Sequence, residues 1–441
     1  YDIETPLIAT LILLTAQHVI MSNTDVRAEP YIMGLLTGGI YHFYKVKEKF
    51  SLTGILLASV FTACAVMTKG IYLLIPVGAA IAGDYLLKRD IKGIFQWQWL
   101  LSFILIVLFV LPELYTLYHQ FDLHPEKVVF NHTGISGIHW FLWDSQFGRF
   151  NNDSYIRNGH GSLFFFLHTL LWAFAPWAFL FFYALIKNII KISKGIAQPE
   201  YMCICCSVVM LVIFSISKFQ LPFYTNILFP FFAVITAVFI RGLTAGTDLK
   251  FFKISQYIVS AALLALLIIL NFVFAPAHSI TGLYIIAVMG WLTWYIYKNT
   301  GPVYQRVLLF SSCVIIGINA WFAAVLYPTL ISYRADVAAA QYVNVNYPGQ
   351  AVNTNILTNA FDFYLQHPVR VFKLSDHLNN DHFKGLVLTD KPSLGTLKNK
   401  NIPFEILKVF ENYPNENITL PFLVATKRST ALVPWFLIRI K

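Results

Sequence analysis

The feature that most constrains this sequence is a series of long apolar segments that recur along most of the chain. A helix needs about 20 mainly apolar residues to cross about 30 Å of hydrocarbon. Only 12% of the residues are charged, against about a quarter in soluble domains. The sequence therefore predicts a polytopic α-helical membrane protein. About eleven transmembrane helices are predicted, at residues 5–22, 31–45, 51–67, 71–87, 97–113, 163–186, 202–217, 221–240, 255–275, 280–297 and 307–327.

The basic residues between these segments predict which loops face the cytoplasm. Lys and Arg cluster in alternate loops, at residues 45–49, 88–92, 187–194, 241–253 and 298–306. Because cytoplasmic loops of membrane proteins are enriched in Lys and Arg, these loops are predicted to be cytoplasmic. The long polar loop 113–162 and everything after residue 327 then face the extracytoplasmic side. The first helix runs outward, so we expect an even number of helices, zero included, before Tyr1.

Two other classes of protein fit the sequence poorly. The net charge of +10 does not indicate nucleic-acid binding, because the cations lie in short loops rather than on one basic face. Cys203, Cys205 and Cys206 lie inside an apolar segment and have no His or Cys partner at zinc spacing. We interpret them as small buried apolar residues.

From about residue 328 the composition changes to that of a soluble α/β domain. We therefore divide the chain into a transmembrane core, residues 1–327, and a C-terminal extracytoplasmic domain, residues 328–441. Residues 332–345 and 359–366 are predicted helices. Short strands are predicted at residues 351–357, 369–374, 385–388, 404–410, 422–425 and 435–440.

Two carboxylates lie on the predicted outer face between the first two helices. Asp25 and Glu29 are four residues apart and would share one helix face if the second helix began early. A carboxylate at a membrane boundary can act as a general base, hold a metal or orient a sugar hydroxyl. Alternatively, Asp25 simply caps the following helix, as Asn and Asp residues often do.

Two isolated lysines, Lys69 and Lys218, lie in short loops on the same face. Isolated cations there depart from the charge bias that the other loops obey, and they favour an anionic partner such as a lipid phosphate. The alternative is that each side chain extends to the lipid headgroups without a specific role.

The loop 113–162 combines aromatic and polar residues. Arg149 lies between two phenylalanines, and His160 follows in a glycine-rich stretch. Trp140 and Trp143 could pack on a sugar or a lipid headgroup. The same tryptophans are equally typical of a membrane-interface belt.

These motifs, taken in order, resemble a known group of enzymes. The set comprises Asn-Thr-Asp-Val-Arg-Ala-Glu-Pro (23–30), Met-Thr-Lys-Gly (67–70), Phe-Gly-Arg-Phe (147–150), His-Gly-Ser-Leu-Phe-Phe-Phe (160–166), Ala-Pro-Trp (175–177) and Ser-Lys-Phe-Gln-Leu-Pro-Phe-Tyr-Thr-Asn-Ile-Leu-Phe-Pro (217–230). It is similar to polyprenyl-phosphate-dependent membrane glycosyltransferases of the GT-C class. The nearest groups are bacterial aminoarabinose transferases that modify lipid A and the protein O-mannosyltransferases. The resemblance covers most of residues 5–235.

The resemblance implies an inverting glycosyltransferase in the inner membrane with its active site on the periplasmic side. It would move a sugar from a polyprenyl-phosphate donor to a lipid, glycan or protein acceptor. Asp25 would be catalytic, with Glu29 in support. Four residues would hold the lipid phosphate: Lys69, Arg149, Lys218 and Tyr224.

The resemblance also implies which partners and cofactors the protein has, and which catalytic residue this sequence would lack. It implies contact with membrane lipids, no nucleic acid and no organic cofactor, and it makes His160 a candidate ligand of a divalent metal ion. The principal catalytic acid of the group lies in an outer loop between two further helices upstream, so the present sequence would lack it. The competing interpretation is a lipid or glycan transporter or flippase, which paired broken helices and charges near mid-membrane would favour.

Overall fold

The computed structural model describes residues 2–22, 25–153, 161–244, 246–274, 278–356, 358–371, 385–413 and 418–440. The chain forms two compact units. One comprises Tyr1–Ala262 and Thr293–Ile316, and the other comprises Leu263–Leu292 and Gly317–Lys441.

Within the described residues, the named elements of the first unit are all helices, joined by loops. Thirteen helices lie entirely within it: α1 Glu4–Leu14, α2 Gln17–Ser22, α3 Glu29–Glu48, α4 Leu52–Lys69, α5 Leu74–Leu87, α6 Ile91–Ile94, α7 Trp97–Leu117, α8 Gly137–His139, α9 Arg149–Asn151, α10 Phe165–Ala173, α11 Ala178–Ser193, α12 Met202–Ile216 and α13 Phe229–Arg241. Segments of 3₁₀ or π helix extend or join them, at Ile71–Leu73, Tyr118–Asp122, Trp140–Gly148 and Pro222–Leu228. Three long helices contribute residues to both units: α14 Thr247–Val273, α15 Ser279–Asn299 and α16 Val303–Trp321.

The predicted fold class is confirmed, since each of the eleven predicted segments coincides with helix. Within the described residues, six helical segments are long and apolar enough to span a bilayer: Leu52–Lys69, Ile91–Asp122, Pro222–Arg241, Thr247–Val273, Ser279–Asn299 and Val303–Ser332. Three shorter apolar helical segments are Glu4–Leu14, Ile71–Leu87 and Met202–Ile216.

Two of the predicted helices are interrupted, and the interruptions contact each other. One break separates α1 from α2 and the other separates α10 from α11. The Gln17 N–H donates to the carbonyl of Ala175 at 3.1 Å, and Trp177 Nε1 donates to Thr15 Oγ1 at 3.0 Å. Unpaired backbone groups are costly away from water, and the first of these bonds satisfies one such group from each break, while the second joins the two breaks through side chains. The prediction of one continuous helix at each position was therefore wrong.

A buried ion cluster ties α3, α5 and the start of α12 together. The Asp84 carboxylate is fully buried and lies 2.5 Å from Lys47 Nζ and 3.3 Å from Lys88 Nζ. The Tyr201 N–H donates to the same carboxylate at 2.7 Å. Because a buried charge is tolerated only when it is paired and hydrogen-bonded, this cluster fixes the three helices relative to one another.

The second unit contains a five-stranded sheet. Its strands are β1 Val352–Thr354, β2 Val369–Val371, β3 Gly385–Asp390, β4 Phe404–Asn412 and β5 Val433–Ile440. They lie in the order β2-β1-β3-β5-β4. Strand β1 is parallel to β2 and β3, whereas β5 is antiparallel to β3 and β4. The predicted α/β character of this part of the chain is confirmed.

Within the described residues, five further helices accompany the sheet: α17 Tyr327–Ser332, α18 Ala335–Asn346, α19 Asn359–Tyr364, α20 Lys391–Asn399 and α21 Leu420–Leu423. The strand predicted at residues 422–425 was wrong. Pro421 occupies the first turn of α21, where its missing N–H costs nothing, and a 3₁₀ segment, Ala425–Ala431, follows. A short apolar run cannot by itself distinguish a strand from a buried helical turn.

Asp336 gives the second unit a pH-dependent contribution to its stability. Burial raises the pKa of this carboxyl, but hydrogen bonds from Arg334, Thr358 and the Val337 N–H lower it further, so the net pKa lies below its usual value. A depressed carboxyl pKa stabilises the fold above the unfolded value of about 3.9, and this stabilisation is lost as the pH falls through the folded pKa.

We expect Asp336→Asn to lower the melting temperature near neutral pH, because the ionised carboxylate accepts all these hydrogen bonds. The difference from wild type should shrink as the pH falls below about 4, where the unfolded carboxyl is protonated. Thermal unfolding of the two detergent-solubilised proteins between neutral and acid pH measures this difference in melting temperature. A difference that stays constant over this range would contradict the assignment.

Candidate active site

Most of the predicted site residues lie around the segment 218–224, which lies between α12 and α13. The Lys218 N–H donates to the Phe150 carbonyl at 2.9 Å, which attaches the segment to the loop that carries Arg149. Gln220 is buried and its amide bonds both the N–H and the carbonyl of Ser162, at 2.8 and 3.0 Å. Gly161 lies so close that an added Cβ would meet the Ser217 carbonyl at 2.7 Å. The polar loop and this segment therefore form one packed layer.

A buried ion pair between Glu29 and Lys69 lies beside this segment. Glu29 is the first residue of α3 and is 2% exposed, and it forms a salt bridge with Lys69 at the end of α4. The lysine side chain is 18% exposed. Gly70 ends α4 with a φ of 119°, a conformation that favours glycine, and the Gln146 amide fills the space a side chain would need. The turn therefore places Lys69 at the edge of the loop 113–162.

Three cations pack on the aromatic rings of this segment. Lys69 Nζ lies 4.8 Å from the centre of the Tyr224 ring and 5.4 Å from that of Phe223. The Arg27 guanidinium lies 4.0 Å from the same Phe223 ring, and that of Arg149 lies 5.7 Å from Phe219. Cation–π contacts of this kind contribute about 0.5–2 kcal/mol each, so the rings hold the cations together despite their mutual repulsion.

The charges of this cluster do not balance. Arg27 pairs with Asp25 at 2.6 Å and Lys69 pairs with Glu29, whereas Arg149 forms no ion pair with any residue that the structure describes. Its Nε is buried without a hydrogen-bond partner in the described chain, although its side chain contacts the Tyr224 hydroxyl. A buried N–H donor of a charged group that lacks a hydrogen-bond partner is costly. The arrangement therefore suits an anion that would bind at Arg149.

The two predicted carboxylates do not share a helix face. Helix α3 begins at Glu29, so Asp25 lies in the preceding loop, where its side chain is 52% exposed. Asp25 does not cap the helix either, because the N-cap position is Ala28 and the carboxylate bonds Arg27 and the Val26 N–H instead. The structure therefore shows neither a shared helix face nor a helix cap at Asp25, and the catalytic role predicted for the two carboxylates stays a prediction.

The structure separates the other predicted residues. Lys218 joins the site through its backbone, while its side chain is exposed and makes no ion pair within the described ranges. His160 lies outside the described residues. Within the part of the chain that the structure does describe, no group of three or more His, Cys, Asp or Glu side chains could hold a metal ion. The site therefore offers no described metal-binding set.

Arg27 is the residue that sequence reasoning missed. It occurs in the motif 23–30 without a predicted role, yet its guanidinium contacts both Asp25 and Phe223. The usable signal was its position between two carboxylates, Asp25 and Glu29, within one short loop.

Comparison with known proteins supports this description. No curated protein sequence matches the chain. The family described as dolichyl-phosphate-mannose-protein mannosyltransferase matches residues 1–128, under a third of the sequence. The fold is similar to that of ArnT from Cupriavidus metallidurans bound to undecaprenyl phosphate, with a TM-score of 0.70 and 14% identity over 92% of this chain and 77% of that one. The apo structure of the same protein gives a TM-score of 0.64 and 14% identity over 92% and 80% of the two chains.

These matches confirm the predicted resemblance to polyprenyl-phosphate-dependent membrane glycosyltransferases. They also confirm a multi-pass membrane fold with a C-terminal domain. None of them supports the transporter interpretation, even though the chain contains two broken helices.

Proposed function

We propose that the protein transfers a sugar from a polyprenyl-phosphate donor to a lipid, glycan or protein acceptor. The observation that carries the proposal is the half-buried Arg149 side chain, whose buried Nε has no hydrogen-bond partner and which pairs with no carboxylate in the described residues, whereas Lys69 and Arg27 beside it are paired. A lipid phosphate would supply the missing negative charge. The matched family acts with a polyprenyl-linked mannose, and the structurally similar ArnT binds undecaprenyl phosphate.

The proposed sugar transfer needs positive charge next to the donor phosphate. When the sugar leaves the donor, the bond between its anomeric carbon and a phosphate oxygen breaks, and negative charge develops on the phosphate. Donors fixed in a water-poor site stabilise that charge most strongly. Arg149 can donate two parallel hydrogen bonds to the phosphate, Lys69 adds a point charge, and the Tyr224 hydroxyl lies beside Arg149.

The acceptor hydroxyl must lose a proton to a base. Glu29 suits this role poorly, because its carboxylate is buried and engaged by Lys69. Asp25 is exposed, and Arg27 keeps it oriented, so it is the better candidate of the two.

We also propose on which side of the membrane the reaction takes place. The site, with its loop 113–162, lies on the periplasmic side of the inner membrane. The core is residues 1–327 and the domain 328–441 is periplasmic. Inverting stereochemistry is part of the proposal. The described residues contain no set of side chains that fits a metal ion, and no proposed step involves one.

A transfer assay on the full-length protein in proteoliposomes tests the function. The donor would be a polyprenyl-phosphate sugar labelled in the sugar, and lipid A, a glycan lipid and a peptide would serve as separate acceptors. We expect free polyprenyl phosphate to appear in step with labelled acceptor of inverted anomeric configuration. Label that crosses the membrane with its sugar–phosphate bond intact would indicate a flippase and overturn the proposal.

A further inference from the structure

A second site lies away from the cations of the candidate active site. Helices α5, α11 and α12 enclose a groove of about 640 Å³ whose lining residues are all apolar. Ile75 and Leu87 mark its ends on α5, Ile192 lines it from α11, and Cys205 and Val209 line it from α12. All three helices belong to the first unit. Nothing in the proposed sugar transfer uses this groove.

Small residues on α5 create the groove. At Gly83 the helices touch, because an added Cβ would lie 2.5 Å from Cys205 Sγ. One turn and a half earlier, an added Cβ at Gly78 would meet nothing within 4 Å, so the space opens there. The neighbouring Ala79 and Ala82 also line it. The buried Asp84 cluster fixes α5 against α12, so the helices cannot simply close the gap.

The dimensions of the groove suit a hydrocarbon chain. From Ile75 to Leu87, α5 advances about 18 Å at 1.5 Å per residue. Half of a hydrocarbon core is about 15 Å thick, so the groove covers about one leaflet. A lining without a polar side chain favours a flexible apolar ligand over a sugar or a nucleotide.

Cations lie next to one end of the groove. Arg89 follows two groove residues, Leu86 and Leu87, and Lys194 follows Ile192 by two positions. Both cations are exposed, and neither forms an ion pair with a residue in the described part of the chain. This is the end predicted to face the cytoplasm, and basic pockets between transmembrane helices on that side are suited to anionic lipid headgroups.

The geometry points to a binding site for one anionic glycerophospholipid. An acyl chain occupies the groove and the phosphate headgroup lies between Arg89 and Lys194. The site holds a lipid that is not consumed, and it is independent of the proposed sugar transfer. A polyprenyl chain would also match the apolar lining, but it would leave the two cations at this end unused.

Photo-crosslinking in lipid nanodiscs tests the site. Nanodiscs of equal parts phosphatidylglycerol and phosphatidylcholine would carry a photoreactive acyl chain on one lipid at a time, and crosslinked peptides would be mapped. Gly78→Phe puts a large side chain into the groove at a position where an added Cβ meets nothing within 4 Å, and Arg89→Ala with Lys194→Ala removes the headgroup charges. The matched controls are Gly34→Phe, at another exposed helical glycine with open space, and Lys250→Ala with Lys253→Ala.

We expect phosphatidylglycerol to label α5 and α12 at least about five-fold more than phosphatidylcholine. Gly78→Phe should abolish this labelling and the double charge variant should remove the preference, while both controls keep it. Equal labelling by the two lipids would overturn the proposal. So would labelling of these helices by a photoreactive polyprenyl phosphate that phosphatidylglycerol cannot displace. Thermal unfolding of each variant shows that it is folded.

Discussion

Lys69→Met is expected to reduce sugar transfer by about 10²–10³-fold, the usual cost of removing one donor to a developing anion. The same change should destabilise the protein by about 3–5 kcal/mol, because it leaves the buried carboxylate of Glu29 without its partner. Lys69 thus has a structural role as the partner of Glu29 and a proposed role on the phosphate, and a single substitution removes both. Turnover of labelled donor and thermal unfolding of the solubilised protein measure the two effects separately.

A second substitution separates these roles. In the double variant Glu29→Gln with Lys69→Met, no uncompensated charge is buried, so most of the lost stability should return. Transfer should stay low, because the cation that faces the phosphate is still missing. If transfer recovered together with stability, Lys69 would be a structural partner of Glu29 and its proposed role on the phosphate would be wrong.

Arg149→Ala, unlike Lys69→Met, is expected to reduce transfer without unfolding the protein. The loss of transfer should be about 10²-fold or more, with little loss of stability. No carboxylate in the described residues pairs with Arg149, so its removal leaves no orphaned charge. Arg149→Lys should recover only part of the activity, since an ammonium keeps the charge but cannot form two parallel hydrogen bonds. Initial rates at several donor concentrations measure these effects.

Lys127 provides the matched control for Arg149. It is an exposed cation in the same loop, its Nζ donates to the Gln120 carbonyl, and it lies 5.7 Å from the centre of the Phe121 ring. Lys127→Ala should keep transfer within about two-fold of wild type, a change well below the 1.4 kcal/mol that corresponds to ten-fold. Equal losses in the two variants would show that the overall charge of the loop matters rather than a bond from Arg149.

Much of the fold could be predicted because apolar length and loop charge are local properties of a sequence. The spans and the change of composition near residue 328 needed no tertiary information. The breaks between α1 and α2 and between α10 and α11 did need it, because each break is satisfied by groups more than 150 residues away, such as Thr15 and Trp177. Hydropathy records that both segments are apolar and carries no information about those bonds.

The candidate site was predictable in part for the same reason. Lys69, Arg149 and Tyr224 were identified as isolated polar groups at the outer face, and the structure brings them onto one aromatic segment. The pairing of Glu29 with Lys69 joins residues 40 positions apart and left no local trace. Spacing suggested instead that Glu29 worked with Asp25, whereas Asp25 is held by Arg27.

The central claim is that Arg149 holds the phosphate of a polyprenyl donor, and a cryo-EM structure of the full-length protein with polyprenyl phosphate tests it most directly. We expect the phosphate to lie about 3 Å from Arg149 Nε, within hydrogen-bonding distance, and next to Lys69. A phosphate bound elsewhere, with Arg149 still unpaired, would contradict the claim.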